Sequence, residues 1–278
     1  ARDMKAAGID VISLTLGEPD FDVPDNIKKA AFDAINENYS HYSPVPGFLE
    51  LRKAIVNKLK RDNNLDYKPT QICVANGAKQ NIFNVLAALV NEGDEVILPA
   101  PYWVSYDEMV KINGGVSVFI ETNIDTEFKM TAEQLEAAIT PKTKAVLYSS
   151  PCNPSGSYYT REELEKIANV MAKYPDVVII SDEIYEFINY DGEHVSIAEF
   201  PQVFNQTAVI HGMSKAFAMT GWRIGYSACP QWLADACDKL QGQVTSGANT
   251  VAQRASIVGL ETDPKDYYYM VKKKKKRR

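Results

Sequence analysis

No stretch of this 278-residue chain is long and apolar enough to span a bilayer, and the opening ARDMKAAGID holds no apolar signal region. These two absences predict a cytoplasmic protein with no membrane partner. The four cysteines, Cys73, Cys152, Cys229 and Cys237, show neither the paired spacing of a zinc site nor a small disulfide framework. No resident metal is therefore expected, and the thiols are expected to be free, as in a reducing compartment. No strand candidate leads into a G-x-G-x-x-G turn, which disfavours a nicotinamide dehydrogenase. Nor is the body basic. Seven of the 30 Lys and Arg residues form the terminal run 272–278, leaving 23 against 36 acidic residues. Such an acidic body repels phosphate and argues against non-specific nucleic-acid binding. The terminal run reads as a solvated helix end rather than a patch for nucleic acid or anionic membrane.

What remains is an ordinary globular composition, 45% hydrophobic and 24% charged, long enough for a sizeable core. Helical and short apolar patterns alternate. NIKKAAFDAI places Ile27, Ala30, Ala31, Ala34 and Ile35 on one face, and ELRKAIVNKL does the same with Leu51, Ala54, Ile55 and Leu59. A third helix is expected from about Gly77, burying Ile82, Val85, Leu86 and Leu89. Strand candidates are 95–99, 116–120, 144–150, 177–181 and 207–212. Thr131 with Gln134, and Thr160 with Glu163, fit the capping box that opens a helix. Nearly all-apolar strands between amphipathic helices predict an α/β fold with a mostly parallel sheet sandwiched between helices.

Ligands of open α/β sheets bind beyond the carboxyl ends of the strands. Three successive strand ends read SSPCNPSG, SDEIY and HGMSK, and they deliver Asn153, Asp182 with Tyr185, and Lys215. Their spacings of 29 and 33 residues each match one strand–helix repeat of roughly 30 residues or more. Singly, each has an ordinary explanation. NPSG is a turn signal, Asp182 could cap a helix, Tyr185 could pack in the core, Lys215 could snorkel from a helix end, and Arg223 could pair with any carboxylate. Jointly they are harder to explain that way. A lysine among apolar neighbours loses its proton more readily and can form a Schiff base with an aldehyde. A carboxylate can keep a pyridine nitrogen protonated, a phenol and an amide can bond a ring oxygen, and an arginine fork suits a phosphate. Gly77-Ala78-Lys79 at a helix start could add backbone N–H groups to that phosphate. Together these are the needs of pyridoxal 5'-phosphate.

Seven ordered stretches carry a resemblance: LGEPDF (16–21), HYSPVPGFLELR (41–52), NGAKQNIFN (76–84), PAPYWVSY (99–106), SSPCNPSG (149–156), SDEIYEFINYDGEH (181–194) and SKAFAMTGWRIGY (214–226). The chain resembles the class I/II aminotransferases of pyridoxal-phosphate fold type I, most closely the bacterial aspartate aminotransferases. The resemblance implies a Schiff base at Lys215, which would also shuttle the α-proton, and Asp182 on the pyridinium nitrogen. It implies Tyr185 and Asn153 on the phenolic oxygen and Trp103 stacked on the ring. Ala78, Lys79, Ser214 and Arg223 would hold the phosphate, and Tyr42 would reach the phosphate of a partner subunit across a homodimer interface. Gly17, Trp103 and Asn153 would line the pocket for amino-acid and keto-acid substrates. Lys79 would favour a dicarboxylic substrate, so the implied reaction moves the amino group of aspartate to 2-oxoglutarate.

The resemblance also implies a division into 1–25, an N-terminal segment of a small domain with an active-site loop; 26–262, the large cofactor-binding domain; and 263–278, the start of an interdomain helix. Two departures stand out. Gly212 occupies a position often held by serine, which removes one phosphate hydroxyl, and no arginine can be assigned to the substrate α-carboxylate. The expectation is of a shortened form with the small domain largely absent. Alternative readings are an aromatic or other aminotransferase, a pyridoxal-phosphate-dependent β-lyase, or an inactive cofactor-binding fragment.

Overall fold

The computed structural model describes residues 2–12, 17–190 and 192–277. Leu16, which begins the LGEPDF stretch, and Arg278, which ends the basic run, lie outside the described residues. Eleven α-helices are described: α1 (Arg2–Ala6), α2 (Asp25–Asn36), α3 (Leu49–Asn63), α4 (Ala78–Leu89), α5 (Ser105–Ile112), α6 (Ala132–Ala138), α7 (Arg161–Met171), α8 (Met213–Ala216), α9 (Gln231–Val244), α10 (Thr250–Glu261) and α11 (Tyr268–Arg277). Seven strands join them: β1 (Ile72–Asn76), β2 (Glu95–Ala100), β3 (Val116–Glu121), β4 (Thr143–Ser149), β5 (Val178–Asp182), β6 (Thr207–Gly212) and β7 (Ile224–Ala228).

The strands form one sheet in the order β1-β7-β6-β5-β4-β2-β3. Every pairing is parallel except those of β7, which runs antiparallel to both β6 and β1. All five expected strands are present within a residue or so of their predicted ends, and the mostly parallel sandwich is as expected. β1 and β7 were not anticipated.

Strand pleat explains how the sheet is covered. Successive side chains point to opposite faces, so Ala145, Leu147, Val178, Ile180, Ala208 and Ile210 pack with α4, α5 and α9. The alternate residues Val146, Tyr148 and Ile179 pack with α6 and α7, and Val209 with α2, α3 and α10. With both faces buried, the central strands must be apolar throughout. The helices follow their sequence signals closely. Thr131 and Thr160 accept from the backbone N–H of Gln134 and Glu163, and those side chains accept from the N-cap backbone in return. Leu51, Ala54, Ile55 and Leu59 of α3 are all buried. On α2, Ile27, Ala31 and Ala34 are buried, but Ile35 is 58% exposed because it lies at the margin of the apolar stripe. Among the described residues no helix is long and apolar enough to cross a membrane.

Candidate active site

Beyond the carboxyl ends of β4, β5 and β6 lies a cleft of about 700 Å3. Its lining contains ten of the eleven residues singled out from sequence: Gly17, Ala78, Lys79, Trp103, Asn153, Asp182, Tyr185, Ser214, Lys215 and Arg223. The sheet register explains the convergence. Ser149 of β4 pairs with Asp182 of β5, and Asp182 with Ile210 of β6, so the three strands end at one level. The eleventh residue, Tyr42, is not in the cleft, and its ring is 94% exposed on the loop before α3.

Asp182 sits on the α5 side of the sheet, 4% exposed. Tyr106 Oη donates to its Oδ2 at 2.6 Å and the Ile184 N–H to its Oδ1 at 3.2 Å. Burial raises its carboxyl to about 6; these two donors and the Lys215 amine pull the other way. Lys215 follows β6 on the short helix α8. Burial lowers the pKa of its amine, and the nearby Arg223 charge lowers it further, against the attraction of Glu18 and Asp182. Its Nζ donates to the Gly17 carbonyl and stands 5.6 Å from the centre of the Tyr185 ring. Burial chiefly raises the Tyr185 phenol, and the neighbouring Asn153 side chain pulls the other way. An amine whose charged form burial disfavours and a buried acid therefore face one cleft, with a phenol and an amide on the same lining.

The other end of the cleft suits an anion. The first turn of a helix leaves backbone N–H groups without intrahelical acceptors, and α4 presents those of Ala78 and Lys79 there. Gly77 has φ +85°, and a Cβ on it would collide with the Arg223 guanidinium. Gly225 of β7 passes so close under the α4 start that a Cβ would strike Ala78 N and the Gly77 carbonyl carbon. Arg223 is itself fixed by the Thr220 carbonyl at 2.9 Å and the Asn76 carbonyl at 3.2 Å. A side chain at Gly212 would meet the Ile224 carbonyl oxygen at 2.9 Å and Gly225 Cα at 3.0 Å. Close strand packing thus explains why glycine stands where a hydroxyl was sought. Lys79 Nζ lies 4.7 Å from the Trp103 ring centre, at the exposed margin.

Behind the cleft, the turn that carries Asp182 and Tyr185 sends its other two acids into the protein. Glu183 accepts from Ser181 Oγ at 2.9 Å and Ser196 Oγ at 2.7 Å, and meets His194 Nε2 at 2.9 Å. Glu186 pairs with the buried Lys58 and accepts from Asn63 Nδ2 at 2.9 Å. Burial works against both carboxylates but is outweighed, by the histidines beside Glu183 and by the Lys58 charge beside Glu186: Glu183 falls below the usual range and Glu186 to about 2. Desolvation and the Lys58 charge lower His211, whose Nε2 is 3.4 Å from Glu183 without hydrogen-bond alignment. His194 rises despite burial, because Glu183 favours its charged form.

Sequence reasoning missed Tyr106, Ser149 and Thr220 as lining residues, and the buried cluster entirely. For Tyr106 a signal existed, since it closes the quoted stretch PAPYWVSY, but nothing local said that its phenol meets Asp182. Among the described residues, no three His, Cys, Asp or Glu side chains are grouped to hold a metal ion. The cysteines are free; three are buried and Cys152 is half-buried.

Comparison with known proteins gives a consistent picture. The family model described as aminotransferase class I and II matches residues 9–278. A probable aspartate/prephenate aminotransferase of Rhizobium leguminosarum bv. phaseoli is 52% identical over 262 residues, covering 94% of this chain and 66% of that protein. An aspartate aminotransferase of Bacillus sp. (strain YM-2) is 51% identical over 259 residues, covering 92% and 66%. The crystal structure of the aspartate aminotransferase from Rhizobium meliloti superposes with a TM-score of 0.96 at 43% identity, covering 99% of this chain and 70% of that one. The chain thus spans about two thirds of the length of these two curated relatives.

Proposed function

The chain belongs to the class I and II aminotransferases, and from that premise we propose that it binds pyridoxal 5'-phosphate and transfers the amino group of aspartate to 2-oxoglutarate. One observation carries the reading: a buried carboxylate, a pKa-lowered amine, a phenol–amide pair and an anion cradle share one cleft. The donor set fits the group. A ring nitrogen that must stay protonated calls for an acid such as Asp182. An aldehyde calls for an amine that is not fully charged, and a phosphate calls for the α4 start, Ser214 and Arg223.

When bound, pyridoxal 5'-phosphate supplies an aldehyde for the covalent bond and a ring that accepts an electron pair. The chain supplies the rest. Lys215 would hold the group covalently and would carry the proton to and from the substrate α-carbon. Asp182 would keep a proton on the ring nitrogen by offering a fixed negative charge in a desolvated site, where electrostatics act strongly. Tyr185 and Asn153 would hydrogen-bond the ring oxygen, and Trp103 would offer a flat face to the ring. The Gly17 backbone leaves room for the substrate, and Lys79 meets the distal carboxylate of a dicarboxylic amino acid. Tyr42, exposed in the single chain, reaches the phosphate site of a second copy in a homodimer. Residues 26–262 form the cofactor-binding domain.

The experiment is borohydride reduction of the cofactor-loaded protein followed by peptide mapping. The label is expected on Lys215 alone. A label on any other lysine overturns the assignment, and absence of label with intact folding overturns the cofactor reading. Single-turnover assays with aspartate, an aromatic amino acid and a β-substituted alanine then read the substrate class.

A further inference from the structure

α5 brings a second phenol into the cleft, and the proposed function leaves it without a task. Tyr106 is 1% exposed and belongs to the same buried core as Val110, Leu98 and Ile180. Trp103 meets it edge-on, with ring centres 5.5 Å apart. A ring in such a position that served only as filler would need no hydroxyl. A buried hydroxyl must find partners, and this one donates to Asp182 Oδ2 at 2.6 Å, a charge-assisted length. The Ser149 side chain also favours the ionised phenol, against the burial that raises it. The second carboxylate oxygen takes the Ile184 N–H. Each oxygen of Asp182 is therefore held from a different element, one by a rigid ring on α5 and one by the turn after β5.

We propose that Tyr106 is a positioning residue for Asp182: its phenol locks the carboxylate in one rotamer and in its ionised, acceptor-only form, presented to the cleft. The inference rests on the proposed cofactor for what that carboxylate meets there, but the contact itself is independent of it. A protonated carboxyl would offer its O–H to the cleft, and a neutral acid no longer supplies the charge that keeps a ring nitrogen protonated. The charged groups facing Asp182 are Lys215 on α8, which favours its ionised form, and Glu183, which opposes it. Tyr185 on the following turn also lies within its field. Tyr106 is the side chain that hydrogen-bonds it.

The test is a carboxyl titration by carbon-13 NMR on the full chain labelled in aspartate, without added cofactor, with Asp182→Asn assigning the signal. Tyr106→Phe keeps ring and packing and removes only the donor. Its Asp182 midpoint is expected to rise by about one to two pH units, the range for losing one hydrogen bond to a charged group. A shift below about 0.3 unit with unchanged near-ultraviolet circular dichroism overturns the proposal. A second measurement needs no change at Tyr106. In tyrosine-labelled protein, one tyrosine signal must follow the Asp182 midpoint and lose that step in Asp182→Asn. If none does, the proposal fails even where Tyr106→Phe does not fold. Pyridoxal 5'-phosphate affinity, read by fluorescence quenching, is expected to fall about tenfold in Tyr106→Phe, and an unchanged affinity also counts against positioning. If neither unmutated nor variant protein binds that cofactor, the proposed function falls while the titration still decides the role of Tyr106.

Discussion

Replacing Lys58 by Met leaves the buried Glu186 carboxylate without its ion-pair partner, and the size of the resulting loss follows from the surroundings of that carboxylate. Lys58 is 1% exposed on α3, and the Glu186 side chain is 8% exposed. Methionine has nearly the length of the lysine stem, so little volume is lost. What disappears is the charge. Glu186 keeps Asn63 Nδ2 at 2.9 Å and His211 Nδ1 at 3.6 Å, neither of which replaces an ammonium. Rather than hold an unpaired charge, the variant takes up a proton on Glu186. Protonating a carboxyl of ordinary value 4.5 at pH 7 costs about 3.4 kcal/mol. That figure caps the loss near the lower end of the roughly 3–5 kcal/mol seen when one partner of a buried pair is removed.

The sign with pH is determined as well. In the unmutated protein Glu186 is held near 2, so the pair contributes stability above about pH 4.5 and loses it as pH falls toward 2. In Lys58→Met the folded state binds a proton that the unfolded state at pH 7 does not. The gap between the two proteins therefore narrows by about 1.4 kcal/mol per unit as pH drops from 7 toward 5. Equilibrium urea unfolding reads this directly. With a slope of about 3 kcal/mol/M for a chain of this size, the midpoint falls by about 1 M at pH 7. The double variant Lys58→Met/Glu186→Leu recovers most of that loss. A loss under about 1 kcal/mol, or a gap independent of pH between 5 and 7, would refute the reasoning that this ammonium compensates this carboxylate.

Three further outcomes follow from the cleft. Asp182 is raised by burial to about 6 from an ordinary 3.8, so in the cofactor-free protein its ionisation opposes folding increasingly as pH rises from 4 to 6. Asp182→Asn is thus expected to stabilise that form by about 1–3 kcal/mol at pH 7 and little at pH 4, measured by urea midpoints, although it removes the charge the chemistry needs. Lys79→Gln is expected to raise KM for aspartate about tenfold while leaving a monocarboxylic amino acid nearly unaffected, in steady-state assays. Gly225→Ala forces β7 away from the α4 start, and is expected to cost at least about 2 kcal/mol in urea unfolding and to weaken phosphate-dependent cofactor binding in equilibrium dialysis.

Most of the sheet could be read because its central strands are buried on both faces and must be apolar, which 177–181 and 207–212 show plainly. β7 escaped notice because IGYSA is short and rich in small residues, a composition set by the close passage of Gly225 beneath α4 rather than by hydrophobic burial alone. β1, ICVAN, is equally short and lies immediately before the glycine that opens α4. The buried pair at Lys58 could not be read for a different reason. A lysine in a helix with four other basic residues reads as solvent-facing, and its acid lies 128 positions away.

Sequence alone therefore determined the layer order, the helices with their caps, and the four side chains that strand periodicity brings to one rim: Asn153, Asp182, Tyr185 and Lys215. Those are local properties, legible because period and turn chemistry act over a few residues. Tertiary structure decided the rest. Which phenol touches Asp182, which amine loses solvent, and which acids of the 182–186 turn face inward all depend on desolvation and contact between distant segments, and these exist only once the sheet has closed over its helices.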